Sequence, residues 1–211
     1  MMVGTDLAEA IRVAMGFPTP VSAQLIGWSN AVVQHVQTGI VNNTSGTVTG
    51  DAPPSGGSLS NGAADNGMIS GLNGPTLANL VATMAGYGYV TSQLTIFCNE
   101  IVSHIMTLGR VEFASGDIQG SCSNTLLSPG VLTGTGADGF IKSLNGPVLA
   151  QAIHDAIGYP GSLSARLTQF CTAIVNYIMD NAVVAYASVT GVCPAGGGAI
   201  TAGTASGGTI A

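Results

Sequence analysis

Apolar residues fall at spacings of three and four in six stretches of the chain, which predicts six amphipathic helices arranged as three pairs. The first helix of each pair carries Leu7, Ala10, Ile11, Ala14 and Met15, then Leu77, Leu80, Val81 and Met84, then Leu149, Ala152, Ile153, Ala156 and Ile157. The second carries Val21, Leu25, Trp28, Val32 and Val36, then Val90, Leu94, Phe97, Ile101 and Ile105, then Leu163, Leu167, Phe170, Ile174 and Ile178. Val33, Val102 and Val175 lie beside that stripe and widen the apolar arc beyond what one partner helix covers, so this helix is expected to be buried on two sides. The first helices end at Gly16, Gly86 and Gly158. Thr5-Asp6 is expected to supply an N-cap oxygen to the first helix, with Asp6 and Glu9 at the positive end of its dipole.

A β-like piece follows each pair, at residues 47–50, 117–120 and 188–191. After it comes a Gly, Ser, Pro and Asn-rich segment holding one large apolar residue (Leu59, Leu132 or Ile200) and then Gly62, Gly134 or Gly203, read as short strands and tight turns. The whole pattern recurs. Leu7 to Leu77 is 70 residues and Leu77 to Leu149 is 72, which predicts three tandem repeats at 4–73, 74–145 and 146–211. Gly71-Leu72-Asn73-Gly74-Pro75 and Ser143-Leu144-Asn145-Gly146-Pro147 mark the joints, each a turn feeding a helix with Pro at its start. The fold class expected is α+β, each unit a helical hairpin followed by short β-strands and a Gly-rich turn segment.

Composition changes the picture of the surface. Only 7% of the 211 residues are charged, against a usual quarter, and the chain holds 31 glycines. So little charge leaves a monomer poorly covered, so burial of much of the surface in an assembly is expected. The core and assembly contacts are assigned to Leu25, Trp28, Val32, Leu94, Phe97, Ile101, Leu167, Phe170 and Ile174. A membrane span is not expected, because the best apolar run, 173–187, is interrupted by Asn176, Asp180 and Asn181. Residues 1–6 read as the approach to an amphipathic helix rather than as a signal peptide. One Lys and three Arg in a chain of net charge −6 cannot build a phosphate-binding groove, so no nucleic acid is expected as partner.

Candidate chemistry is sparse. Cys98 and Cys171 occupy one repeat position and Cys122 and Cys193 another, while the first copy has Ser29 and Ala52 there. Joint presence and joint absence suggest disulfides Cys98–Cys122 and Cys171–Cys193; four buried thiols are the alternative. The spacing matches no zinc motif, so no metal is assigned. His35 and His104 share a position with Tyr177, which favours a half-buried amphipathic role over catalysis. His154-Asp155 lacks a nucleophile and is no triad. Asp65 and Asp138 read as turn caps, and Gly134-Thr135-Gly136-Ala137-Asp138-Gly139 lacks the strand and acidic partner of a dinucleotide fingerprint. Arg110 and Glu112 occur in one copy only, as an intersubunit contact or a solvated ion pair. No catalytic residue and no cofactor is assigned, and no enzymatic activity is expected.

In its tandem copies, its Gly/Ser/Thr/Ala richness, its single Lys142 and its Gly71-Leu72-Asn73-Gly74 type joints, the chain resembles accessory structural proteins of tailed-bacteriophage virions, of the head-decoration, neck, collar, tail-surface or fibre type. That resemblance implies a non-enzymatic virion protein, assembled in the host cytoplasm and then extracellular, a homo-oligomer with a trimer the first guess and with other virion structural proteins as partners. A bacterial surface or adhesin-like structural protein is the alternative, and an enzyme of unknown class the third.

Overall fold

The computed structural model describes all 211 residues, and they divide into two compact units between which the chain passes repeatedly. One unit is helical (1–39, 71–109 and 143–182) and the other is built of strands (40–70, 110–142 and 183–211). The fold is therefore α+β.

The helical unit consists of α1 (Gly4–Met15), α2 (Ala23–Val36), α3 (Gly74–Met84), α4 (Ser92–Leu108), α5 (Gly146–Ile157) and α6 (Ala165–Asn181). Each packs against the next, and α6 packs against α1, so the six close into a ring. The wide apolar arc of the second helices is explained by this closure: α2 lies against both α1 and α3, α4 against α3 and α5, and α6 against α5 and α1. Trp28, Phe97 and Phe170 meet inside it, with ring centroids 5.0 to 6.4 Å apart in edge-on and tilted pairs. Ser29, Cys98 and Cys171, the residues after those rings, are all fully buried.

Five of the six helices are capped by a side chain. The side chains of Ser22, Asn73, Thr91, Asn145 and Ser164 each accept from the backbone N–H three residues on. At α1 the expectation fails, because the N-cap is Val3 and no side chain caps it, while Thr5 and Asp6 stand inside the first turn. The opening glycines of α1, α3 and α5 are steric requirements. A Cβ on Gly4, Gly74 or Gly146 would come within 2.7 Å of the Cα of Asn30, Asn99 or Thr172 on the second helix of the same hairpin.

The strand unit contains β1 (Ile40–Asn42), β2 (Val48–Ala52), β3 (Gly57–Ser58), β4 (Ser60–Ser70), β5 (Arg110–Phe113), β6 (Ile118–Cys122), β7 (Gly130–Lys142), β8 (Val183–Cys193), β9 (Gly198–Ala199), β10 (Thr201–Ser206) and β11 (Gly208–Ile210). Every pairing is antiparallel, and the run β7, β5, β4, β1, β11, β8 returns to β7, closing a barrel. Alternation places Val41, Ile69, Val111, Ile141, Val184 and Ile210 inside. The expected short strands are too short: β4, β7 and β8 run 11, 13 and 11 residues through the Gly-rich segments. Glycine is used there to admit aromatic rings. Phe113 stacks on Tyr186 at 4.6 Å, and a Cβ on Gly139 would lie 2.4 Å from the Phe113 ring. Gly134-Thr135-Gly136-Ala137-Asp138-Gly139 is thus the middle of a barrel strand.

Candidate functional site

His35, His104 and Tyr177 do one job. His35 Nε2 accepts the N–H of Asn73 at 3.0 Å, and His104 Nε2 accepts that of Asn145 at 3.0 Å, each tying its helix to the N-cap of the next hairpin. Tyr177 Oη accepts from the Val3 N–H and donates to the Val3 carbonyl, both at 2.7 Å, and so joins the last hairpin to the first. The hydroxyl satisfies the N–H and carbonyl of Val3 itself, while the first turn of α1 has no side-chain cap. The three residues are buried at 3%, 6% and 6% exposure rather than half-buried, and desolvation holds both imidazoles below the ordinary histidine range. The shared demand on the position is a polar atom that accepts from a backbone N–H, which His and Tyr both meet.

The cysteines pair differently from expectation. Cys122 and Cys193 are bonded in the strand unit, whereas Cys98 and Cys171 are free thiols buried in α4 and α6 of the helical unit. Neither Cys98–Cys122 nor Cys171–Cys193 forms. Cys122 on β6 and Cys193 on β8 pair with Leu132 and Gly130 of the same strand, β7, and the fold of the strand unit brings their Cα atoms to 6.0 Å, within disulfide reach. Burial pushes the thiols of Cys98 and Cys171 up to about 12, so neither is a nucleophile.

Of the residues assigned to assembly, Trp28, Val32, Ile101 and Ile174 are at most 6% exposed within the single chain, while Leu25, Leu94, Phe97, Leu167 and Phe170 are half-buried. The half-buried set lies toward the hairpin turns, where Phe17, Tyr87, Tyr89 and Tyr159 are exposed. There a pocket of about 550 Å³ opens in the helical unit, lined by Met15, Phe97, His154, Tyr159, Pro160, Ser162, Ser164, Arg166, Leu167 and Phe170. His154 Nδ1 is 3.2 Å from Asp155 Oδ1, its Nε2 is buried without a partner, and its ring centroid lies 6.1 Å from that of Tyr159. Compared with protein-family models, curated proteins and solved structures, the chain matches none.

Three of the four Lys and Arg side chains have partners. Arg12 bonds Glu9 at 2.6 Å, Lys142 bridges Glu112 and, at 3.3 Å, Asp65, and Arg110 has its own interaction. Glu112 is therefore part of an ion pair within the chain. Asp65 accepts from the Asn66 N–H at 2.7 Å, the turn-capping role expected of it, whereas Asp138 itself takes the left-handed conformation at φ 63°. No three His, Cys, Asp or Glu side chains come together as a metal site would require, and no helix is long and apolar enough to cross a membrane.

In the strand unit a second apolar surface stands out. Leu126 is 65% and Leu127 93% exposed on a turn held by Thr125, whose hydroxyl accepts the N–H groups of Leu127 and Ser128 at 3.3 and 3.0 Å. Val131 and Val192, opposite each other on β7 and β8, are exposed as well. Sequence reasoning missed this turn because it occurs in one copy only.

Proposed function

We propose that the chain is a non-enzymatic structural protein of a tailed-bacteriophage particle, built of three tandem units at 4–73, 74–145 and 146–211 whose helical hairpins close into one ring. Two observations support the tandem reading: the matched triplets Trp28, Phe97, Phe170 and His35, His104, Tyr177 make like contacts, and the helix ring closes from α6 onto α1. The guessed threefold association thus has its counterpart inside one chain. Of the residues assigned to assembly, Trp28, Val32, Ile101 and Ile174 are used up there.

The observation that carries the contact role is the pinned display of Leu126 and Leu127. A large apolar side chain 93% exposed on a hydrogen-bonded turn lowers no folding free energy where it stands, and it is pre-organised for a partner. Homo-oligomer or virion-partner contacts are assigned to this turn and to the exposed aromatics of the hairpin turns. The disulfide suits life outside a reducing cytoplasm, on a virion or, in the alternative reading, on a bacterial surface.

Light scattering after size-exclusion chromatography tests assembly, with Leu127→Asp expected to shift an oligomer to monomer. Immunogold labelling of purified particles tests location. A monomeric wild-type chain absent from particles would refute the proposal, and labelling of bacterial envelopes instead would favour the alternative.

A further inference from the structure

Arg166 is the unpaired cation of this protein. Arg12, Lys142 and Arg110 all have partners, whereas Arg166, exposed at the start of α6, has neither an ion pair nor a hydrogen bond. It stands on the aromatic pocket of the helical unit, and no carboxylate lines that pocket. The nearest carboxylate in sequence to the pocket's histidine, Asp155, is already occupied by Gln151 Nε2 at 2.7 Å and His154 Nδ1 at 3.2 Å. His154 Nε2, buried and without a partner, is a second unsatisfied polar atom among the lining residues. The matched positions in the other hairpins hold Gln24 and Gln93 in place of Arg166, and Arg12 and Ala82 in place of His154. Arg12 is turned to Glu9 and to the Phe17 carbonyl, so one hairpin of three presents a free cation beside an apolar cavity.

We propose that this pocket binds an amphiphilic monocarboxylate, with its apolar body among Phe97, Leu167, Phe170 and Tyr159 and its carboxylate on the Arg166 guanidinium. The volume of about 550 Å³ is that of a small-ligand site, which typically spans roughly 300 to 1,000 Å³ with mostly apolar walls and few polar groups. A planar guanidinium meets a carboxylate with two parallel hydrogen bonds, a geometry neither Gln24 nor Gln93 can offer. The site does not depend on where in a particle the chain resides.

The protein carries its own reporter. Trp28 is the one tryptophan, and its ring lies 5.0 Å from Phe170 and 6.4 Å from Phe97, both pocket residues. Titration with sodium decanoate below its micelle concentration is expected to change Trp28 emission saturably, with calorimetry giving the same dissociation constant. Decanol and decyltrimethylammonium should bind at least about tenfold more weakly, the loss of a charge-assisted hydrogen bond. Arg166→Gln, which installs the residue of the matched positions, should weaken decanoate to the same degree while leaving decanol unchanged. Equal binding of decanoate and decanol, or no saturable signal by either method, would overturn the proposal, and so would an unaltered decanoate affinity in a folded Arg166→Gln. Should that variant not fold, the comparison of the three probes on the wild-type chain decides alone.

Discussion

Acidification is expected to loosen the helical ring at two of its three ties, and the direction follows from which nitrogen does the work. His35 Nε2 and His104 Nε2 accept backbone N–H groups, so both imidazoles are held neutral with the proton on Nδ1. Protonation at Nε2 would set a donor against a donor. Burial lowers both folded-state values below the unfolded value of about 6.5, so between those limits the unfolded chain binds protons that the native chain refuses. Stability contributed by the ties is therefore complete above about pH 7 and is lost as pH falls from about 6.5 toward the depressed folded values. Each refused proton contributes a slope of about 1.4 kcal/mol per pH unit, so the pair gives at most about 2.7 kcal/mol per unit. Guanidinium unfolding at pH 7.5, 6.5, 5.5 and 5.0 measures this slope directly. His35→Gln with His104→Gln should flatten it, and each single variant should halve it, whereas Tyr177→Phe should lower stability by the same amount at every pH in this range. A double variant that keeps the wild-type slope would refute the reasoning.

Other expectations rest on single contacts. Tyr177→Phe removes two hydrogen bonds to Val3 and should cost about 2 kcal/mol, read as a shift in denaturation midpoint at constant m-value. Alkylation in denaturant without reductant should label two thiols, Cys98 and Cys171, and peptide mapping should recover Cys122 joined to Cys193. Reducing that bond, which closes a separation of 71 residues, should lower stability by about 4 kcal/mol on the chain-entropy account. Gly74→Ala puts a methyl group 2.7 Å from the Asn99 Cα and should cost about 1 to 3 kcal/mol by thermal melting, although alanine is the better helix former. Ser29 Oγ is buried without a partner, so Ser29→Ala should stabilise by about 1 kcal/mol, and an unchanged or lower melting temperature would count against that accounting.

Much of the local structure was legible in the residues. The spacings of three and four located all six helices, Asn73 and Asn145 announced helix starts, and the widened arc at Val33, Val102 and Val175 foretold burial on two sides. The strands were less legible. Residues 40–42 and 110–113 carry no long alternation of their own, and β4 and β7 are so rich in glycine that their period of two is faint. The barrel becomes visible only when the gaps left by Gly136 and Gly139 are matched to the ring of Phe113 from another strand.

The chain's own order of apolar and turn residues determined that there would be three helical hairpins, each followed by strands. It also shows that the matched polar position held by His35, His104 and Tyr177 tolerates change in chemical type. Tertiary structure decided what those features mean. Whether an apolar arc meets another hairpin of the same chain or a second molecule depends on ring closure, and closure is made by contacts such as Tyr177 to Val3, 174 residues apart. The cysteine pairing turned on the same difference. Spacing along a chain orders neighbours in sequence, but a bond forms between neighbours in space, and the strand unit brings Cys122 and Cys193, 71 residues apart in sequence, to a Cα separation of 6.0 Å.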